Sequence, residues 1–149
     1  MDAPLISLLF MLGFVGLGVL YTLTLQNTLN VISPANRQMN PGMVWLIFIP
    51  IFNFIWQFVI VYKLSNSINK ELITRQEEAK VFRPTFGVGF IASVSWAAIF
   101  ILNLLMKNAV GSIMGGLFGL IAMISFIIYW AKVAHYKRKI KALQLTTPS

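Results

Sequence analysis

Side chains that could carry out acid-base or metal chemistry are few in this chain and far apart. The carboxylates and the single histidine are Asp2, Glu71, Glu77, Glu78 and His135. Glu77 and Glu78 are neighbours that point to different sides of a helix, so they do not form a catalytic pair. A lone histidine between lysines is not a metal site, and the absence of cysteine excludes disulfides and thiolate ligands. We predict a protein that is not an enzyme and holds no metal or cofactor.

Polar residues of a different kind stand inside the apolar run "NPGMVWLIFIPIFNFIWQFVIVYKL". Pro50, Asn53 and Gln57 are spaced by three and four residues, which places them on one face of a helix. That face must point away from lipid, because an unpaired amide in hydrocarbon is costly. By depth, we expect its partners to be Ser93, Ser95 and the indole of Trp96, or the same residues of a neighbouring copy.

This polar intramembrane face has two interpretations. Asn53 and Gln57 could join helices by hydrogen bonds. Alternatively, the face borders a water-filled path or ligand cavity, and Pro50 provides a bend for gating. A proton-coupled carrier would be expected to carry a carboxylate in the membrane, and the apolar stretches contain none.

The elements that position this face follow from composition. With 58% hydrophobic and 11% charged residues, the 149-residue chain is too apolar for a soluble domain. Four stretches are long enough to cross a bilayer: 5–25, 43–62, 86–106 and 109–131. We predict an all-α, single-domain bundle of four transmembrane helices, followed by a basic tail over 132–149.

The second predicted helix has a clear start and an uncertain end. Asn40 followed by Pro41 is a typical N-cap with proline at the first helical position. Beyond Tyr62, apolar residues recur every four positions, and Glu71 and Arg75 form an expected surface pair. The helix therefore continues into the cytoplasm to about Lys80, or bends near Ser65 and lies along the headgroups.

The fourth predicted helix carries a double row of small residues. Gly111, Gly115 and Gly119 are spaced by four, and Gly116 belongs to the adjacent row. Such spacing allows close approach of another helix. The partner is either in the same chain or in a neighbouring subunit.

Basic residues predict the orientation. Ten of the twelve lie after the second predicted span or in the tail. They are Lys63, Lys70, Arg75, Lys80, Arg83, Lys132, Lys137, Arg138, Lys139 and Lys141. Because loops rich in lysine and arginine stay in the cytoplasm, we predict that both termini are cytoplasmic (N-in/C-in). The tail residues 137, 138, 139 and 141 could contact anionic lipid, and nucleic acid is not an expected partner.

The run from Asn36 to Ile68 resembles a segment of small bacterial multi-helix membrane proteins of uncharacterised function. The matching residues are Pro41, Gly42, Val44, Trp45, Ile49, Pro50, Phe52, Asn53, Trp56 and Phe58. The resemblance implies a bacterial inner membrane, and it implies that Arg37, Trp45, Asn53 and Trp56 belong to one local structure. It supplies no activity.

Two functions follow as hypotheses. The first is a non-enzymatic, homo-oligomeric inner-membrane protein that is a pore or small-solute channel with a polar face on helix 2. The second is an accessory or scaffold subunit that docks a protein partner through residues 64–80, or anionic lipid through its tail.

Overall fold

Helices make up all the regular structure in the described part of the chain. The computed structural model describes residues 3–75, 83–106 and 109–146. Its elements are α1 (Ala3–Val31), a 3₁₀ helix (Pro41–Phe48), α2 (Phe52–Thr74), α3 (Phe86–Leu105) and α4 (Ala109–Thr146). Three of them contain stretches long and apolar enough to cross a membrane: Pro4–Val31, Phe86–Leu105 and Val110–Thr146. The all-α prediction is confirmed, with three such helices in these ranges where the sequence predicts four.

The predicted second span, 43–62, is divided into two helices. Asn40 caps the 3₁₀ helix as expected, since its side chain accepts a hydrogen bond from the backbone N–H of Gly42. After Phe48 the backbone becomes extended at Ile49, and Ile51 adopts a φ of 65°, which is strained for a β-branched residue. α2 begins at Phe52. Pro50, expected to kink one helix, instead lies where two helices are separated.

Contacts with α1 show that the chain reverses at this break. Along the 3₁₀ helix, the Trp45 indole donates to Gln26 Oε1 at 2.8 Å, and the Phe48 ring reaches Gly18 near the middle of α1. Along α2, Gln57 bonds Tyr21 and Glu71 bonds the backbone of Ser33. The 3₁₀ helix therefore runs opposite to α1 and α2 runs parallel to it. Together they form a hairpin, 41–74, that starts and finishes at the same end of α1.

Aromatic pairs and hydrogen bonds fix the directions of the other two helices. α3 runs antiparallel to α2, as shown by the ring pairs Tyr62–Phe86, Phe58–Phe90 and Phe54–Phe100. α4 runs parallel to α1: Trp130 donates to Thr24 Oγ1 at 3.0 Å, and Gln144 donates to the carbonyl of Val31 at 2.7 Å. We call the end with Val31, Thr74, Phe86 and Thr146 the packed end, and the end with Pro4, Leu105 and Val110 the open end.

The start of α1 and the finish of α4 consequently lie at opposite ends of the molecule. The structure does not support the prediction that both termini share one side, which requires an even number of crossings. The reason is that the hairpin turns back near the middle of α1, which leaves three helices in the described ranges that are long and apolar enough to cross a membrane.

The core is concentrated at the packed end. Its buried side chains come from the second half of α1, the later turns of α2 and the second half of α4. They include Leu25, Leu29, Ile32, Ile60, Val61, Leu64, Ile68, Leu72, Tyr129, Val133 and Ile140. Residues 4–17 of α1 are all exposed.

Two boundaries differ from the prediction in a useful way. α4 continues as one helix through the predicted tail to Thr146, because Val133 and Ile140 are fully buried in the core. α2 ends at Thr74, and its predicted continuation beyond 75 lies outside the described residues.

Candidate functional site

The polar face of α2 meets α1. The amide nitrogen of Gln57 donates to the hydroxyl of Tyr21 at 2.9 Å, and Tyr21 is buried. We expected Gln57 to bond α3, but α2 runs beside α1 as the second arm of the hairpin. α3 instead packs on the aromatic side of α2.

The predicted partners on α3 are not bonded to this face. Ser93 is buried and donates to the carbonyl of Gly89 at 2.8 Å, within its own helix. Ser95 is also buried, whereas Trp96 is 46% exposed. Of the six residues predicted for the polar face, Gln57 bonds α1, Asn53 is half-buried, and Pro50 is exposed at the turn of the hairpin.

Several buried polar atoms of this region have no hydrogen-bond partner among the described residues. They are Asn53 Oδ1, Gln57 Oε1, Ser65 Oγ, Asn69 Oδ1, Thr85 Oγ1 and the hydroxyl of Tyr129. Buried polar groups in native proteins are almost always satisfied, because desolvation without a partner is costly. This concentration of unsatisfied groups marks the interior around α2 as the candidate site.

Three helices, α2, α3 and α4, are in close contact at Gly89. A Cβ atom added there would lie 2.7 Å from the ring of Tyr129 and 2.8 Å from Val61 Cγ1. Only glycine lets α3 approach α2 and α4 to this distance.

A second polar cluster fixes the hairpin at the packed end. The carboxylate of Glu71 is fully buried and accepts hydrogen bonds from the backbone and hydroxyl of Ser33 and from Asn36, and it pairs with Arg75 at 2.8 Å. Burial acts to raise the pKa of Glu71, but hydrogen bonds from Asn36, Ser33 and Arg75 outweigh it and hold the pKa below its ordinary value. The expected Glu71–Arg75 pair is present, but the Glu71 carboxylate is buried and not at the surface as predicted.

Hydrogen bonds from arginine and tryptophan side chains complete the hairpin. Arg37 donates to the carbonyls of Ile32 and Asn30 at the end of α1, and Trp56 donates to the carbonyl of Met43 across the two arms. Trp45 therefore joins the 3₁₀ helix to α1, Trp56 joins the two arms of the hairpin, and Arg37 bonds the carbonyls at the end of α1.

The glycines of α4 differ from one another. Gly111 packs against the backbone of Met106 at the end of α3. A Cβ added at Gly115, Gly116 or Gly119 would meet nothing within 4 Å. Within the described chain, the glycine rows therefore form no helix contact beyond Gly111.

Sequence reasoning missed five residues of the site, which are Tyr21, Ser65, Asn69, Thr85 and Tyr129. They do not stand out by type, since single hydroxyls and amides are common near membrane interfaces. One signal was present: Gln57, Ser65 and Asn69 are polar residues separated by multiples of four positions along α2.

Comparisons with protein-family models, with curated proteins and with solved structures find no match to this chain. The function must therefore be argued from the site itself.

Proposed function

We propose that the chain is a non-enzymatic integral protein of a bacterial inner membrane that assembles with copies of itself and passes a small solute. The observation that carries the proposal is the hairpin. Its two helices are separated by a break that lies beside the middle of α1, and the polar residue Gln57 follows this break on α2. Interrupted helices at membrane depth are tolerated only where they are buried in protein or line a water-filled cavity. That requirement favours a channel over a simple structural anchor.

Charge supports a definite orientation. All ten lysine and arginine residues within the described ranges belong to the packed half of the molecule, in the loop after α1, in α2, before α3 and in the last part of α4. The positive-inside rule then places the packed end in the cytoplasm and the start of α1 on the other side. This N-out/C-in arrangement replaces the N-in/C-in one.

Assembly is supported by the turn of the hairpin. Ile51, at positive φ, is 81% exposed in a single chain. Non-helical backbone in contact with lipid is unfavourable because lipid offers no hydrogen bonds. A second copy that covers the turn removes this contact with lipid. The glycines of α4 that pack against nothing in the described chain offer a second surface at which a helix of another copy can approach closely.

The scaffold hypothesis is less well supported. Leu64, Ile68 and Leu72, three apolar residues of the segment 64–80 through which a partner was predicted to dock, are buried in the core. Val133 and Ile140 of the tail are buried as well. Of the tail residues predicted to contact anionic lipid, Arg138 and Lys141 are exposed, and Lys137 and Lys139 are half-buried. Contact of the tail with lipid headgroups thus remains part of the proposal. Docking of a protein through the buried apolar residues of α2 and α4 does not.

The test is solute flux into liposomes that contain the purified protein. Asn53→Leu is expected to abolish flux without changing the number of subunits measured by native mass spectrometry in nanodiscs. Ile55→Leu, on the exposed side of the same helix, is the matched control. A wild-type protein that is monomeric and passes nothing would refute the proposal.

A further inference from the structure

Arg83, which lies just before α3, is in contact with aromatic rings of α2 and α3. Its guanidinium carbon is 5.0 Å from the centre of the Tyr62 ring and 5.8 Å from the centre of the Phe86 ring. The two ring centres are 6.3 Å apart. Because a cation is attracted to the face of an aromatic ring, the guanidinium has a defined position where α2 and α3 meet.

The backbone of Arg83 is also unusual. Its φ is 53°, a left-handed conformation that residues other than glycine seldom adopt. Such strain persists only where the surrounding contacts compensate for it, and it is concentrated at functional sites. The ring contacts and the strained backbone together indicate that Arg83 does more than mark the cytoplasmic side.

Two lysines of the neighbouring helices lie at about the depth at which α3 begins. Val61 of α2 and Tyr129 of α4 both pack against Gly89, three residues after the start of α3. Toward the packed end, Lys63 follows Val61 by two residues and Lys132 follows Tyr129 by three. At about 1.5 Å per residue, both lysines lie within roughly one turn of the start of α3. Positive charge from several elements is therefore gathered at one depth.

The first turn of α3 adds partial positive charge at this depth. Thr85, the N-cap residue, makes no side-chain hydrogen bond to this turn, and its buried hydroxyl has no partner among the described residues. Helix N-termini attract anions through their early N–H groups. Space is available beside this turn, because a Cβ added at Gly87 would meet no atom within 4 Å. Gly87 directly follows Phe86, one of the two rings next to the Arg83 guanidinium.

We propose that the start of α3 binds the phosphate group of an anionic phospholipid, with Arg83 as the main ligand and Lys132 as a supporting charge. The N–H groups of a guanidinium lie in its plane, so it can stack on a ring and bind two phosphate oxygens at once. The site requires only that the packed end lies at the membrane surface. It therefore goes beyond the proposed channel function and is separate from the tail residues.

A lipid matches this surface better than a soluble anion does. Phe90 stacks on Phe86 at 5.6 Å and is 44% exposed. Ile91 and Val94, further along α3 toward the open end, are exposed as well. An acyl chain that extends from a headgroup at the start of α3 can lie along these side chains, whereas a free phosphate gains no such contact.

Native mass spectrometry in a neutral detergent tests the site with two lipids. Phosphatidylglycerol is anionic, whereas the phosphate of phosphatidylcholine is neutralised by its own choline. The wild-type protein should retain phosphatidylglycerol at a concentration about tenfold lower than phosphatidylcholine, as expected for charge-assisted hydrogen bonds. Arg83→Gln should abolish this preference. Arg138→Gln removes the same charge from an exposed position in the last part of α4 and should keep it. Equal retention of both lipids by the wild type, or an equal loss in both variants, would overturn the inference.

Two further measurements separate a lipid site from loss of folding and from a site for soluble phosphate. Arg83→Gly suits the positive φ, so it should remain folded in a thermal unfolding scan while it loses the preference for phosphatidylglycerol. A folded Arg83→Gly variant that keeps the preference would refute the role of Arg83. Inorganic phosphate at millimolar concentration should not displace bound phosphatidylglycerol. Displacement would identify a site for soluble phosphate and overturn the assignment to lipid.

Discussion

The packed and open ends are built from the same apolar residue types but are held together differently. At the packed end, Leu29 is fully buried among residues of α2 and α4. At the open end of the same helix, Leu9 is 52% exposed. α1 thus has neighbours on several sides over its second half, whereas the side chains of residues 4–17 are all exposed.

The hairpin is the reason for this difference. It fills the space beside the second half of α1 and reaches only to Gly18, so the first half projects beyond it. In lipid an exposed leucine is not unfavourable, because the acyl chains are as apolar as the protein core. We infer that the packed end supplies the stability of one chain and that the open end is left for lipid or a neighbouring copy.

The largest expected effect is all-or-none and concerns orientation. With cysteines placed at Pro4 or Ala142, one at each end of the molecule, an impermeant thiol reagent should label Pro4→Cys only from outside intact cells. Ala142→Cys should be labelled only after the cells are opened. Labelling of both variants from the same side would contradict the parallel arrangement of α1 and α4.

Leucine substitutions at the two ends of α1 test where stability resides. Leu29→Ala removes a fully buried side chain and should lower the free energy of unfolding by about 2 to 5 kcal/mol through the cavity it leaves. Leu9→Ala should change it by no more than about 0.5 kcal/mol. Thermal unfolding in one detergent measures both, and equal effects would remove the distinction between the ends.

Glycine substitutions compare a tightly packed position with an unpacked one, and we expect a smaller difference in stability than for the leucines. Gly89→Ala places a Cβ against Tyr129 and Val61 and should destabilise the chain by about 1 to 3 kcal/mol. Gly116→Ala adds a Cβ in open space and should leave the unfolding of one chain unchanged. If copies associate through α4, Gly116→Ala should instead reduce the oligomer fraction in nanodiscs.

The smallest expected effect is the pH dependence of the packed end. Because the pKa of Glu71 is lower in the folded chain, its contribution is present above the ordinary value of 4.5 and is lost as the pH falls through the folded value. Glu71→Gln should cost about 1 kcal/mol at neutral pH and flatten the acid limb of a plot of unfolding temperature against pH. If Glu71→Gln leaves the acid limb unchanged, the loss of stability at acid pH is caused by groups other than Glu71.

Much of the fold is predictable from the sequence. The apolar length of three helices, the Asn40–Pro41 helix start and the Glu71–Arg75 pair are all present. The polarity of Asn53 and Gln57 also directs attention to the segment that forms the hairpin. The partner of Gln57 is not predictable, since Tyr21 lies 36 residues away and only the direction of α2 brings the two side chains together.

By itself, the sequence determines that this is an apolar, helical chain with its charge at one end, because hydropathy and helix length depend only on local composition. The tertiary structure decides that 43–62 turns back instead of forming one continuous helix. A proline in an apolar run is compatible with a kink or with a reversal, and both bury the same residue types. The choice depends on contacts with α1, namely Trp45 with Gln26, Phe48 with Gly18 and Glu71 with Ser33, which join positions far apart in the chain.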